Sequence, residues 1–186
     1  IKLGVIGAGN FASTTILPIL RDLKRECEVI GVASSGGLSA EVLSRNFKID
    51  NKYSTESEII DSEEIDAVFI LTQHHNHAEL VIKAVNAGKA VYVEKPLALE
   101  VESLVKIEEA MYNAENAKIF VGFNRRFAEA TQFVKSKLNS TPANSINFRF
   151  SVPALDKDNW TNIKEIGGGR IVGEAVHAID LASYLF

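Results

Sequence analysis

Residues 2–12 read KLGVIGAGNFA, and this stretch decides the fold. Lys2–Ile6 is a short run of mostly apolar residues that ends at a glycine, which is typical of a buried strand turning sharply into the next element. A helical pattern follows, and a glycine-rich turn between a strand and a helix is the context of a dinucleotide-binding fingerprint. In that interpretation Gly7 permits the tight turn, Gly9 lets the backbone approach a pyrophosphate, and Ala12 lets the helix pack on the strand. The alternative is a plain β–α turn without a ligand.

The same strand–helix unit recurs along the first two thirds of the chain. The predicted strands are Lys2–Ile6, Val29–Ala33, Ala67–Leu71, Ala90–Val93 and Lys118–Gly122. The predicted helices between them are Phe11–Leu23, Ser39–Phe47, Ala78–Asn86 and about Glu100–Asn113. Short apolar runs that alternate with helices favour an α/β fold of the Rossmann type, a doubly wound parallel sheet covered on both faces.

We place the end of this dinucleotide-binding domain at residue 122 and assign 123–186 to the beginning of a second α/β (α+β) domain. Its predicted elements are a helix over about Ala128–Leu138, a turn through Pro142, a strand over Ser145–Phe150, irregular chain over Ser151–Ile166, a flexible turn over Gly167–Gly169 and a helix over Val172–Leu185. Few residues follow position 122 for an independent domain. Together with Ile1 in place of an initial Met, this predicts that the sequence is part of a longer polypeptide.

Composition and charge exclude several classes of function. The chain has 186 residues, 46% of them hydrophobic, and a net charge of −4 without a Lys/Arg-rich run, so a nucleic-acid partner is not expected. The apolar run around Ala67–Leu71 is far shorter than a membrane span, and no membrane association is expected. Cys27 is the only cysteine, which favours a reducing compartment, and we expect a cytoplasmic protein.

The end of the second predicted strand bears on cofactor choice. An acidic residue there would bind the 2′-hydroxyl of an NAD ribose, whereas this chain has Ala33-Ser34-Ser35-Gly36-Gly37. Without an acid to repel a 2′-phosphate, and with hydroxyl and N–H groups to receive it, NADP is admissible and slightly favoured over NAD.

Two further stretches suggest proton chemistry. Glu94-Lys95-Pro96 follows a strand, at the sheet edge where α/β ligands bind, and a lysine there can hold a substrate hydroxyl and relay its proton. His177 and Asp180 lie three residues apart on a predicted helix, so both can face one site, and histidine is the natural base near neutral pH. The plainer interpretations are a surface ion pair before a turn and a structural histidine.

Clustered imidazoles in Gln73-His74-His75-Asn76-His77 invite a zinc interpretation. No Cys or carboxylate at ligand spacing completes such a site, so we expect no metal and favour cofactor contacts or helix capping. The acidic cluster of Glu56, Glu58, Asp61, Glu63 and Glu64 is interpreted as a solvated face.

The order of these motifs resembles one family. The stretches are GAGNFA at 7–12, TQHHNHAE at 72–79, EKPLAL at 94–99, VGFNRRF at 121–127 and GGGRIVGEAVHAIDL at 167–181. They resemble the glucose–fructose oxidoreductase, inositol dehydrogenase and rhizopine-catabolism (Gfo/Idh/MocA) family, and the likeness covers essentially all of the chain.

That resemblance implies an NAD(P)-dependent oxidoreductase that transfers hydride between a nicotinamide cofactor and a secondary alcohol or ketone of a sugar, sugar nucleotide or cyclitol. It implies Lys95 and His177 as catalytic residues, Glu94 at the nicotinamide ribose, and a bond before Pro96 that is often cis. The cofactor-binding residues it implies are Gly7, Gly9, Asn10, Phe11, Ala12, Ser34, Ser35, Thr72, His74, His77, Glu94 and Lys95. The substrate-binding residues it implies are Lys95, Asn124, Arg126, Trp160, Glu174 and His177.

The chain departs from the family pattern at two positions. Gly173 stands where an Asp is frequent four residues before the histidine, with Glu174 beside it as a candidate replacement, and Gln73 replaces a usual Pro. Family members are also much longer, and the missing sheet usually closes the substrate site and builds a homo-oligomer interface. These departures leave open an alternative, a non-catalytic dinucleotide-binding module or an inactive fragment of a larger two-module oxidoreductase.

Overall fold

A computed structural model describes residues 1–138, 145, 147–149, 151, 154–156 and 158–186. It contains two compact units, Ile1–Val121 and Gly122–Phe186. Within the described residues, every helix is too short or too polar to cross a membrane.

The first unit is built on a five-stranded parallel sheet. Its strands are β1 (Lys2–Ile6), β2 (Glu28–Ala33), β3 (Ala67–Ile70), β4 (Ala90–Val93) and β5 (Ile119–Val121). Their spatial order is β2-β1-β3-β4-β5, with Val5 paired to Val32 on one side and to Phe69 on the other. Because the chain first moves to one side of β1 and then returns to the other, the carboxyl ends of β1 and β3 form a topological switch point, where α/β folds bind ligands. The predicted doubly wound parallel sheet is confirmed.

Helices cover both faces of this sheet. They are α1 (Leu17–Asp22), α2 (Leu38–Phe47), α3 (Glu56–Asp61), α4 (His77–Asn86) and α5 (Val101–Asn113). Strand residues alternate between the two faces, so Val5 packs with α1 and α2 whereas its neighbour Ile6 packs with α3, α4 and α5. Each face therefore has its own apolar core.

The first helix begins with a π-helical turn over Ala12–Ile16 before α1 continues it. The helical stretch starts at Asn10 and ends at Asp22, close to the predicted 11–23. The buried face of this stretch consists of Ala12, Ile16, Leu17 and Leu20, and it packs on β1 and β2.

Helix α3 was not among the predicted helices, because the acidic cluster was interpreted only as a solvated face. Its N-terminus is a capping box in which Thr55 Oγ1 accepts from the Glu58 N–H at 3.2 Å and Glu58 Oε2 accepts from the Thr55 N–H at 3.4 Å. Ile59 and Ile60 lie inside the same stretch and are buried in the core. The cluster is thus the outer face of a short amphipathic helix.

The second unit is mainly helical in its described residues. Its α-helices are α6 (Glu129–Leu138), α7 (Lys164–Gly167) and α8 (Val176–Leu185), with 3₁₀ turns at Asn124–Phe127 and Trp160–Asn162 and a π-helical turn at Ile171–Ala175. Residues 151–166, predicted to be irregular, therefore include a turn and the start of a helix. Gly168 ends α7 in the left-handed region at φ 77°, which glycine adopts without strain.

The predictions between α6 and α7 lie partly outside the described residues. This holds for the turn through Pro142 and for positions 146 and 150 of the strand predicted over Ser145–Phe150. Residues 145 and 147–149 are described and belong to no strand.

Candidate functional site

The turn after β1 has the geometry that a dinucleotide site requires. Gly7 has φ +107°, and its N–H donates to the Ala33 carbonyl at 2.8 Å. A Cβ at Gly7 would lie 2.6 Å from the carbonyl of Leu71 and 2.9 Å from the amide nitrogen of Thr72, so only glycine fits against the end of β3. A Cβ at Gly9, in contrast, would meet nothing within 4 Å. The backbone at Gly9 is therefore open to a group that approaches from outside.

The first helical turn begins at Asn10, directly after Gly9. The Asn10 carbonyl accepts hydrogen bonds from Thr14 Oγ1 at 2.7 Å and from Ser13 Oγ at 3.0 Å, which hold the turn in place. Ala12 is fully buried and allows the close packing of helix on strand, while Phe11 is half-buried beside it. The first N–H groups of a helix lack carbonyl partners within it and attract anions.

The two serines after β2 lie in a tight turn that starts α2. The Gly37 N–H donates to the Ser34 carbonyl at 3.0 Å, and Ser34 Oγ and Ser39 Oγ share a hydrogen bond of 3.1 Å. Ser34 is half-buried and Ser35 is exposed. No carboxylate occupies residues 33–37, in agreement with the sequence.

His77 is buried and connects the loops that follow β3 and β4. Its side chain is 0% exposed, Nδ1 lies 2.7 Å from the Pro96 carbonyl oxygen, and Nε2 lies 3.1 Å from the Thr72 carbonyl oxygen. A neutral imidazole carries one N–H and can donate to only one of these acceptors. Burial is the main influence and lowers the pKa of His77, while the contacts with the Pro96 and Thr72 carbonyls act in the opposite direction.

The ring holds the Thr72 and Pro96 loops at a fixed separation. A direct cofactor contact by His77, which the resemblance implied, stays a prediction. His74 is also buried, with its ring centroid 5.6 Å from that of His77. Among the described residues no group of three or more His, Cys, Asp or Glu is arranged to hold a metal ion.

Glu94 and Lys95 leave the sheet at the end of β4. The Glu94 N–H donates to the Ile70 carbonyl at 3.0 Å, which continues the pairing of β3 with β4 and places Glu94 near the switch point. Both side chains are half-buried, and the Lys95–Pro96 bond is cis. Burial raises the pKa of Glu94, while the hydrogen bond from Tyr92 and the charge of Lys95 act in the opposite direction.

In the second unit, Arg126 is held by Asp180 and two aromatic rings. Arg126 Nε donates to Asp180 Oδ1 at 2.9 Å and to Oδ2 at 2.8 Å, and Nη2 also donates to Oδ1. The guanidinium carbon lies 5.7 Å from the Phe123 ring centroid and 5.5 Å from that of Tyr184. Arg126 therefore fixes α8 to the 3₁₀ turn at Asn124–Phe127. A contact between Arg126 and substrate stays a prediction.

The remaining predicted substrate residues also lie in the second unit. Asn124 begins the same 3₁₀ turn as Arg126, and the His177 ring stands edge-on to Phe123 at 6.4 Å. Glu174 lies in the π-helical turn and pairs with Arg170 at 3.1 Å. Trp160 starts a turn that Asn159 caps by accepting from the Thr161 N–H at 3.0 Å. Asp180, expected to share a site with His177, is bonded to Arg126 instead.

We expect Arg126→Ala to lower the free energy of unfolding more than Asp180→Ala does. Asp180 is 5% exposed at its side chain, so loss of the guanidinium leaves a buried carboxylate without its cation, at a cost of about 3 kcal/mol. Arg126 is 37% exposed and water can replace Asp180, so the reverse change costs about 1 kcal/mol. Urea unfolding of both variants measures the difference, and equal losses would contradict this assignment.

Tyr92 is not among the residues that the sequence predicts for the site. Tyr92 Oη donates to Glu94 Oε1 at 2.7 Å, a contact that the two-residue spacing on one side of a strand makes available. The signal was present in the sequence as Tyr-Val-Glu at 92–94.

Comparison with known proteins adds to this geometry. Residues 1–123 match a family model described as GFO_IDH_MocA, oxidoreductase family, NAD-binding Rossmann fold. One similar curated protein is levoglucosan dehydrogenase of Pseudarthrobacter phenanthrenivorans, which is 35% identical over 80% of this chain and 40% of its own length. Another is inositol 2-dehydrogenase/D-chiro-inositol 3-dehydrogenase of Lacticaseibacillus casei, which is 30% identical over 75% of this chain and 40% of its own length.

Among solved structures, myo-inositol dehydrogenase from Lactobacillus casei in complex with NAD(H) and myo-inositol is 26% identical, with a TM-score of 0.84 over 100% of this chain and 54% of that one. The chain spans about half the length of the curated relatives it matches.

Proposed function

Because the chain belongs to the Gfo/Idh/MocA oxidoreductase family, we propose that it is part of an NAD(P)-dependent oxidoreductase. The proposed reaction transfers hydride between the nicotinamide and a secondary alcohol or ketone of a sugar, sugar nucleotide or cyclitol. The proposed setting is the cytoplasm, with a small sugar-like substrate and a homo-oligomeric assembly.

The observation that carries this proposal is the pair of glycines at the switch point. Gly7 is packed directly against the end of β3, while Gly9 leaves its backbone accessible beside the start of a helix. This combination suits a pyrophosphate, which needs close backbone approach and unpaired N–H groups. Gly7, Gly9, Asn10, Phe11 and Ala12 would hold it.

The adenosine end of the cofactor would lie at the turn after β2. Ser34 and Ser35 offer hydroxyls in place of the acid that selects NAD. We therefore propose NADP as the preferred cofactor, with NAD as the alternative. Thr72, His74 and Glu94 are proposed to bind the remainder of the cofactor.

The proton chemistry is assigned to the two titratable residues that the resemblance implied. A bound nicotinamide supplies or accepts the hydride. Lys95 is proposed to hold the reacting oxygen through its ammonium group and to relay its proton, and His177 is proposed to exchange the same proton as a general base. Asn124, Arg126, Trp160 and Glu174 are proposed for the substrate side.

One observation favours a second candidate, a dinucleotide-binding module without turnover. Gly173 is buried in the π-helical turn, and the carboxylate of Glu174 is paired with Arg170. A carboxylate that is engaged in this way is a poor replacement for the Asp of the family pattern. Saturable cofactor binding without turnover on a panel of polyols, with the protein in its natural length, would support this candidate.

Titration with NADH and NADPH tests the proposed cofactor site. We expect saturable binding of both nucleotides, with NADPH bound more tightly. Nicotinamide fluorescence and the emission of Trp160 measure the binding. Ser35→Asp is expected to weaken NADPH binding at least about tenfold and to leave NADH binding intact, because a carboxylate repels a 2′-phosphate and accepts from a 2′-hydroxyl. If neither NADH nor NADPH binds, the proposed function is contradicted.

A further inference from the structure

Glu94 has a partner that fixes its orientation. Tyr92 lies in β4 and Glu94 follows the end of that strand, so both side chains leave on the same side of the backbone. Tyr92 Oη donates to Glu94 Oε1 at 2.7 Å, a charge-assisted hydrogen bond when the carboxyl is ionised. The same carboxyl also has a hydrogen bond with the backbone of Lys95, and because its two oxygens offer about four acceptor positions it can accept from a further donor.

The sheet, in turn, fixes the ring of Tyr92. Phe69 of β3 stacks on it with centroids 4.8 Å apart at 19°, and Phe120 of β5 stacks on its other side at 5.7 Å and 16°. Three aromatic rings from three adjacent strands thus form a ladder across one face of the sheet. The hydroxyl position is set by this ladder, not by free rotation of one side chain.

The pKa shifts of Tyr92 and Glu94 agree with Tyr92 as the donor in the hydrogen bond between them. Burial and the neighbouring carboxylate raise the pKa of Tyr92, so its hydroxyl keeps its proton and acts as the donor. Burial raises the pKa of Glu94, and three influences oppose this: the Tyr92 hydroxyl, the charge of Lys95 and a hydrogen bond with the backbone of Lys95. Loss of the hydroxyl would therefore favour the neutral carboxylic acid at Glu94.

We propose that Tyr92 is a positioning residue for the nicotinamide nucleotide: its hydroxyl binds Oε1 of Glu94, fixes the orientation of that carboxylate and so presents it as the acceptor for a ribose hydroxyl. This inference rests on the proposed function, in which Glu94 binds the nicotinamide ribose. An ionised and oriented acceptor binds a hydroxyl more strongly than a neutral or rotating one. Tyr92 touches neither substrate nor cofactor in this role.

Tyr92→Phe tests the proposal, because it removes the hydroxyl and keeps the ring in the ladder. At neutral pH we expect NADH binding to weaken about fivefold, the effect of one hydrogen bond. As pH falls, binding should be lost at a higher pH than in the wild type, since protonation of Glu94 becomes easier. Tyr112→Phe, at a residue that is 91% exposed on α5, is the matched control and should leave both quantities unchanged.

A double-mutant cycle with Glu94→Gln separates positioning from a general structural effect. Once the carboxylate is gone, Tyr92→Phe should cause no further loss of NADH binding, and the acid-side pH dependence should disappear. If the wild type binds NADH and Tyr92→Phe has the same affinity and the same pH profile, the positioning role is overturned while the proposed function stands. If the wild type binds neither NADH nor NADPH, the proposed function fails and this inference falls with it.

Discussion

Replacement of Lys95 by Ala should lower kcat about a thousandfold, the range expected when a proton-transfer group is removed. The dissociation constants for NADH and NADPH should stay within about threefold of the wild type, because in the proposed site the glycine turn, and not this ammonium, would hold the pyrophosphate. Steady-state kinetics on a panel of polyols and sugars, with the protein in its natural length, measures the first quantity. Fluorescence titration measures the second.

Two variants control for the loss of a positive charge. Lys95→Arg keeps the charge but is a poor proton donor, so it should resemble Lys95→Ala in kcat. Lys83→Ala removes a lysine whose exposed ion pair with Glu79 contributes little to stability, and it should leave kcat unchanged. Loss of both turnover and cofactor affinity in Lys95→Ala, or of neither, would count against a catalytic role. Cofactor binding by a wild type that turns over no substrate would favour the non-catalytic module.

The sheet and most of its helices were predictable because their signals are local. Each strand of the first unit is a short apolar run, and each is followed by a helical pattern, so parallel pairing follows from the alternation alone. Helix α3 was missed although Thr55 and Glu58 have the spacing of a capping box, because charged residues around Ile59 and Ile60 hid the apolar face. A count of charged residues therefore gives no sign of the two isoleucines that pack this short helix into the core.

The candidate site was predictable only in part, because burial and pairing depend on tertiary structure. The sequence places His77 beside a strand end, but it does not show that the ring is enclosed between the Thr72 and Pro96 carbonyls. The sequence suggests that Asp180 and His177 share a helix face, but Asp180 is bonded to Arg126, which lies 54 residues earlier. Such partners are far apart along the chain, and no local pattern encodes them.

Gly7→Ala should destabilise the first unit by about 3 kcal/mol or more, because two costs add at this position. The residue has φ +107°, a region that residues with a Cβ rarely adopt, and the added Cβ would overlap backbone atoms of Leu71 and Thr72. Backbone cannot rotate away as a flexible side chain can, so β1 and β3 would have to separate at the switch point. Urea unfolding followed by circular dichroism measures the loss, and cofactor binding should be lost together with stability.

Gly9→Ala is the matched comparison, because it adds the same methyl group two residues away but is expected to leave the stability nearly unchanged. The new Cβ would meet nothing within 4 Å and the backbone has no positive φ, so the free energy of unfolding should change by less than about 1 kcal/mol. The methyl group would nevertheless occupy the space through which a pyrophosphate approaches, and NADH and NADPH binding should weaken at least about tenfold. Stability and binding would thus separate at Gly9 and fall together at Gly7. If Gly9→Ala binds both nucleotides normally, the open space above this glycine is not where the pyrophosphate lies, and the cofactor assignment of the turn is wrong.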